Sequence, residues 1–308
     1  LIGLLSLFCL VSCDFLEETA YNKVTVGNFY TTKEGITNGV NGLYSTLRNM
    51  YIQEYLIYMC EGPSDLWIAY NGSEQWRNWT IDATNNDVRS FWYNSYKSIN
   101  QCNTVIYSLE NDEIEGLDES LRIQYLAEAL FIRDHLVQQF GDVPMSLKPT
   151  NSVETAVYKT KADEVWTQII SDLEYAMQNL PESYSVSEYG RVTKYAAMHH
   201  LSRVLLTVKR DNRDIENALE YAETVINSGQ YSLVQSHAEL WDINNKHNSE
   251  VIFPVLYTQN AELNGNGNTA HMFFCSAYSE EHPAVLRVIE YGRPWSRERS
   301  TDFAINLF

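Results

Sequence analysis

Apolar residues recur three and four positions apart along most of the chain, the spacing that puts them on one face of an α-helix. The first such face is Ile36, Val40, Leu43, Tyr44, Leu47 and Met50. It follows Thr31-Thr32-Lys33-Glu34, which has the form of a capping box, and predicts a helix over 33–50. A second face, Val88, Phe91, Trp92, Ser95, Ile99, Cys102, Val105, Ile106 and Leu109, ends in the acidic turn Glu110-Asn111-Asp112. A third runs from about residue 119 to 140 with Leu121, Tyr125, Leu126, Ala129, Leu130, Leu136, Val137 and Phe140. Gly141-Asp142-Val143-Pro144 stops it, because glycine can take a left-handed cap and proline forbids continuation.

A fourth helix is expected from the capping pattern Thr160-Lys161-Ala162-Asp163 through Val165, Trp166, Ile169, Ile170, Leu173, Ala176 and Met177 to Leu180-Pro181. A fifth spans 193–209, and the short polar turn Arg210-Asp211-Asn212-Arg213 leads to a sixth over 215–228. So short a link implies an antiparallel pair. Ala196, Ala197, Ala218 and Ala222 let helix backbones approach closely, as in tetratricopeptide hairpins, although no strict repeat of that period is present. After Gly229 the helical pattern ceases. Glu250-Val251-Ile252-Phe253-Pro254-Val255-Leu256-Tyr257 has the form of an edge strand, Asn264-Gly265-Asn266-Gly267-Asn268 that of a loop, and Glu290-Tyr291-Gly292-Arg293-Pro294-Trp295 that of a tight turn.

Charge and composition narrow the function. The 308 residues carry 40 Asp+Glu against 22 Lys+Arg, a net charge of −18 that would repel a phosphate backbone, and nucleic-acid binding is dropped as a class. The 21 Tyr and 7 Trp supply many flat surfaces with a polar handle. Residues 1–12 form an apolar run too short to span a bilayer and read as part of a signal peptide. Leu10-Val11-Ser12-Cys13 resembles a bacterial lipobox, which makes Cys13 the expected lipidation site. Asp14-Phe15-Leu16-Glu17-Glu18 is similar to the acidic export tag of surface lipoproteins in Bacteroidetes. Both chain ends are expected to be truncated: no starting Met is present, and Phe303-Ala304-Ile305-Asn306-Leu307-Phe308 breaks off inside an apolar stretch. Beyond Cys9 and Cys13, the cysteines Cys60, Cys102 and Cys275 are too widely spaced for a disulfide framework or a zinc site and are expected as buried small apolar residues.

No His-Glu-x-x-His, Gly-x-Ser-x-Gly or Gly-Lys-Ser/Thr motif is present, His199-His200 lacks a partner at metal-ligand spacing, and no cofactor or metal is expected. Glu61 and Asp65 are the carboxylates to inspect for glycoside hydrolysis. The richest candidate is the loop-like segment from Glu61 to Trp79, with Trp67, Trp76 and Trp79 beside Asp65, Tyr70 and Asn71. Pyranose rings present C–H faces that stack on aromatics, and their hydroxyls need amides and carboxylates at the rim. The alternative is that these tryptophans cap the helical core; at least one of the three is expected to be exposed. Tyr278 is a second candidate, and the acceptor patterns at Asn71-Gly72-Ser73 and Asn78-Trp79-Thr80 are read as chance.

Several segments, in order, resemble the SusD/RagB family of outer-membrane lipoproteins. They are Cys13-Asp14-Phe15-Leu16-Glu17; Ala127-Glu128-Ala129-Leu130-Phe131-Ile132-Arg133 with Gln139-Phe140-Gly141-Asp142-Val143-Pro144; Gly190-Arg191-Val192-Thr193-Lys194-Tyr195-Ala196-Ala197; the stretch from Ala222 to Leu233; Asn248-Ser249-Glu250-Val251-Ile252-Phe253; and Tyr291-Gly292-Arg293-Pro294. Asp134-His135-Leu136 departs from it, since family helices usually continue there with aromatics. The resemblance implies a mostly α fold of tetratricopeptide-like hairpins with an irregular, partly β second lobe. The expected organisation is a partial signal peptide (1–12), a lipidated segment (13–32), a helical region (33–229) and the start of an incomplete C-terminal lobe (230–308). The implied function is non-catalytic capture of oligosaccharide at the cell surface and transfer to a SusC-like TonB-dependent transporter, the protein being held to the outer membrane through its lipid. A surface glycoside hydrolase and a transporter subunit without a ligand site are the rival readings.

Overall fold

The computed structural model describes residues 29–51, 54–69, 74–137, 141–150, 152, 157–242, 244–257 and 298–307. Cys13, Tyr70, Asn71, Cys275, Tyr278, the turn at 290–295 and all of the leader lie outside them. The described part is mostly helical. Its main elements are α1 (Lys33–Tyr51), α2 (Glu54–Cys60), β1 (Trp67–Ala69), α3 (Glu74–Arg77), α4 (Asn86–Asn111), α5 (Glu119–Val137), α6 (Ala162–Asn179), α7 (Lys194–Val208), α8 (Asn212–Asn227), α9 (His237–Leu240), β2 (Glu298–Ser300) and α10 (Asp302–Ile305). Helices α4 to α8 each pack on the next in sequence, while α1 lies against α4 and α5 and α2 against α4. The apolar faces read from the sequence meet in one core, where Ile36, Leu43, Leu47, Phe91, Leu109, Phe131, Ile169, Leu173 and Leu201 are buried. Among the described residues no helix is long and apolar enough to cross a membrane.

Helix ends depart from local expectation. At α1 the side chain of Thr32 takes the capping role, its Oγ1 accepting from the Gly35 amide at 3.2 Å, one residue later than the pattern that begins at Thr31. The Thr160 pattern does not cap α6 either: Lys161 occupies the cap position without a side-chain bond, and Asp142 Oδ1 accepts from the Ala162 amide at 2.9 Å. Gly141 does not adopt a positive φ, whereas Gly229 does (φ 70°) at the exit of α8. Residues 250–257 form no strand; Ile252, Phe253 and Val255 pack on the helical core instead, and Phe253 meets Phe131 edge-on at 5.4 Å. Cys102 is buried as expected, but Cys60 is exposed at the end of α2.

Two buried polar clusters lock the stack. Glu128 on α5 is fully buried and accepts hydrogen bonds from Tyr44 (2.6 Å), Gln124 (2.9 Å) and Arg191 (2.7 Å), tying α1 and α5 to the segment before α7. Arg191 also donates to Asn41 at 2.6 Å, and Tyr44 accepts from the Val192 amide at 3.1 Å, so the charges are paired and hydrogen-bonded as burial demands. The second cluster lies between α4, α5 and α6. There Arg133 pairs with Asp172 and donates to Asn103 at 3.2 Å, and Gln168 donates to Asp172 at 2.7 Å. Asp134, at the departure from the family pattern, lies beside this cluster with its Oδ2 buried and facing no donor.

Candidate functional site

The aromatic segment is more ordered than a loop. After α2 the chain turns through Ser64, whose Oγ accepts from the Leu66 and Trp67 amides at 3.3 Å. Trp67 then begins β1, which pairs antiparallel with β2 in the register Trp67–Ser300, Ile68–Arg299 and Ala69–Glu298. Beyond β2, the Thr301 amide donates to the Leu66 carbonyl at 2.9 Å and its hydroxyl to the Asp65 carbonyl at 2.6 Å. The same hydroxyl oxygen caps α10 by accepting from the Ala304 amide. A ribbon of two short strands therefore joins the early segment to a part of the chain more than 230 residues away. Trp67 is half-buried and the Asp65 side chain is exposed beside it.

The remaining tryptophans divide between support and display. Trp76 in α3 is only 6% exposed, packs on Tyr58, Met59, Ile81 and Val88, and donates from Nε1 to Asp87 at 2.9 Å. Its indole N–H is thus satisfied inside the fold, as burial requires. Asn85 binds this unit to α4: its Oδ1 accepts from the Asp87 and Val88 amides as the N-cap, and its amide donates to Gln75 at 2.9 Å. Trp79 follows the end of α3 with φ 56°, in the left-handed region, and is 74% exposed. The strained backbone is held from both sides, by the Asn78 amide on the Glu74 carbonyl and the Thr80 amide on the Gln75 carbonyl. Asp82 accepts from both the amide and hydroxyl of Thr84, which hold its carboxylate below the ordinary range.

This arrangement offers an indole face to solvent on a hydrogen-bonded base, with the exposed Asp65 and the half-buried Trp67 at the start of the neighbouring ribbon. Sequence reasoning placed Trp76 with the ligand-facing residues, but it supports the platform from beneath and presents no face. It did not foresee Asp87 and Asn85, which fix that base. His200 is buried against Phe131 at 5.4 Å between ring centres, and burial together with Arg203 lowers the pKa of the exposed His199. Among the described residues no group of three or more His, Cys, Asp or Glu is arranged to hold a metal ion.

Comparison with known proteins bears on this geometry. A family profile described as SusD-like, starch-binding and associating with the outer membrane matches residues 14–206. The chain is 26% identical over 268 residues to a SusD-like protein of Formosa agariphila, covering 81% of this chain and 50% of that one. A SusD superfamily protein from Parabacteroides distasonis superposes with a TM-score of 0.76 at 22% identity, over 93% of this chain and 60% of that one, a likeness of fold. A laminarin-binding SusD-like protein superposes with a TM-score of 0.65 at 26% identity, over 73% of this chain and 51% of that one. The chain spans about half the length of the curated relatives it matches.

Proposed function

The chain belongs to the SusD-like family, and from that premise we propose that it captures oligosaccharides at the cell surface and passes them to a SusC-like TonB-dependent transporter. The observation that carries the reading is Trp79, a 74% exposed indole on a left-handed turn whose flanking amides are hydrogen-bonded. An indole held outward on a constrained turn offers the flat, amphipathic face on which a sugar ring can stack. Sugar C–H faces stack on the indole, while Asp65 and Asn71 serve ring hydroxyls and Trp67 and Tyr70 extend the aromatic surface. Binding of this kind is reversible and of modest affinity, which suits release to a transporter. No turnover is involved. Acylation of Cys13 would hold the protein to the outer face of the outer membrane without spanning it. The match to a laminarin-binding relative makes β-glucan oligosaccharides the first ligands to try.

The test is calorimetric titration of the full-length protein, freed of its lipid, with laminarin-derived, plant, host and microbial neutral oligosaccharides. Wild type is compared with Trp79→Ala and Asp65→Asn, and products are assayed chromatographically. Saturable binding that Trp79→Ala removes without lowering the melting temperature, and no sugar release, is the expected result. Sugar release abolished by Asp65→Asn would replace capture with hydrolysis. Binding unchanged by Trp79→Ala would move the site elsewhere.

A further inference from the structure

A different face of α4 carries its own chemistry. Arg89, Trp92, Tyr93, Tyr96, Lys97 and Asn100 follow one another at helical spacing and line a groove of about 570 Å³. Ser146 and Thr150 form its wall, on a segment sewn to the helix by three side chains. Tyr96 donates to the Pro144 carbonyl at 2.7 Å, Asn103 donates to the Ser146 carbonyl at 2.8 Å, and Asn100 accepts from the Thr150 amide at 2.7 Å. Tyr96 is thereby fixed in orientation, and Trp92 lies against it at 4.7 Å between ring centres, tilted by 36°. Tyr93 stands 67% exposed at the mouth.

The charge of this groove runs against that of the chain. In a protein with 40 acidic side chains, residues 88–109 contain no Asp or Glu at all. Arg89 and Lys97 are both exposed there, and among the described residues neither forms a salt bridge. They stand eight residues apart, roughly 12 Å along the helix axis, with the aromatic cluster between them. The groove continues past Asn100 and Thr150 to Thr104, Tyr107 and Lys148, and among the described residues that line it carboxylates come at its far end, Asp112 and Glu113. Aromatic faces flanked by cations, with no salt bridge to them and no anion among the described residues of the inner groove, select a ring that bears negative charge.

We infer that this groove is a second saccharide subsite, separate from Trp79, that takes an acidic sugar unit: its ring against Tyr93 and Trp92, its carboxylate or sulfate at Arg89 and Lys97. The inference rests on the saccharide-capture reading and adds a ligand class to it. The full-length protein is titrated with galacturonate tetramer, a sulfated galactan tetramer and maltotetraose, at low and high salt. Arg89→Gln/Lys97→Gln and Tyr93→Ala are compared with Trp79→Ala, all being surface changes checked by thermal melting. The expected result is that at least one acidic tetramer binds wild type and weakens with salt, as exposed charge pairs do. The double variant loses roughly tenfold of that affinity and its salt dependence. Tyr93→Ala also weakens acidic binding, and Trp79→Ala leaves it intact. The two acidic arms distinguish carboxylate from sulfate. No binding of either acidic tetramer, or equal binding by wild type and the double variant, overturns the subsite. Loss of neutral-sugar binding in Trp79→Ala alone tests the first site and leaves the second standing.

Discussion

Replacing Asp134 by asparagine is expected to stabilise this protein at neutral pH. The side chain is 2% exposed, its Oδ2 faces no donor, and the neighbouring carboxylate, Asp172, already holds Arg133 and Gln168. Burial is the main cause that pushes the Asp134 carboxyl well above the usual range; the negative charge of Asp172 adds to it, and Arg133 opposes it. With one cation for two carboxylates, the folded state favours a proton on Asp134, which can donate to Asp172. An unfolded aspartate gives up its proton near pH ~3.9. Between that value and the raised folded one the native state binds the extra proton, so stability falls as pH rises, by about 1.4 kcal/mol per unit. Below ~3.9 both states are protonated and the penalty vanishes; above the folded value it is constant.

Asparagine supplies a neutral group of the same shape whose Nδ2 donates to Asp172 with no proton to take up. The gain at neutral pH is expected to follow that slope, about 1.4 kcal/mol for each unit above ~3.9 until the raised folded value is reached. Other carboxylates, among them Asp82, Asp118 and Asp214, are held below their ordinary range and contribute slopes of the opposite sign as acid is added. The measured quantity is therefore the difference between variant and wild type in urea unfolding free energy, at several values from about pH 4.5 to 7.5. That difference should widen as pH rises. A difference that stays constant across the range, or a variant less stable than wild type throughout it, refutes the reasoning. Asp172→Asn is the control with the opposite sign, because it removes the direct ion pair with Arg133 and the acceptor of Gln168 and shifts the counter-charge to Asp134; a net loss of stability is expected.

Three further outcomes follow from the geometry. Arg191→Met leaves the fully buried Glu128 without its cation and should cost about 3–5 kcal/mol in urea unfolding, against a smaller loss for Glu128→Gln, which keeps the size and the hydrogen-bonding oxygen. Gly190→Ala places a Cβ 2.4 Å from Leu256 Cδ1 at φ +99°, and a loss of about 1–3 kcal/mol should appear as a lower melting temperature. Trp76→Phe keeps an aromatic ring in the Tyr58 pocket but leaves Asp87 without the indole donor; a loss of about 1–2 kcal/mol is expected, with Trp79 fluorescence shifting as the turn loosens.

The helices were readable because their apolar spacing is a property of each segment alone. Ile36 to Leu47 on α1 and Phe91 to Leu109 on α4 are buried where the periodicity put them. Their ends were less readable, because the atoms that satisfy them come from elsewhere: Asp142, twenty residues upstream, caps α6. Helix α2 was missed since, after Glu54, Tyr55-Leu56-Ile57-Tyr58-Met59-Cys60 is a continuous apolar run, which periodicity cannot assign. The strand expected at 250–257 failed for a related reason. Its apolar residues do face a partner, but the partner is the helical core and not another strand. The motifs that carried the family resemblance acquire a physical meaning here: Glu128 and Arg191, in segments 63 residues apart, are the two ends of one buried ion pair.

The site was readable as a composition and unreadable as an arrangement. Three tryptophans within thirteen residues announce an aromatic surface, yet nothing in residue type separates the one that is buried from the one that is displayed. The separation comes from α3. Glu74, Gln75 and Arg77 are polar and exposed, so in a single helical turn Trp76 is the one apolar side chain that can face inward. Once it does, Asp87 at the start of α4 is positioned to take its N–H, and α3 is pinned. The chain must then leave that turn and run to the Asn85 cap. The exit taken is the left-handed conformation at Trp79, which turns the third indole outward. Burial of Trp76 and exposure of Trp79 are thus one event: a residue change that frees Trp76 removes the constraint that displays Trp79.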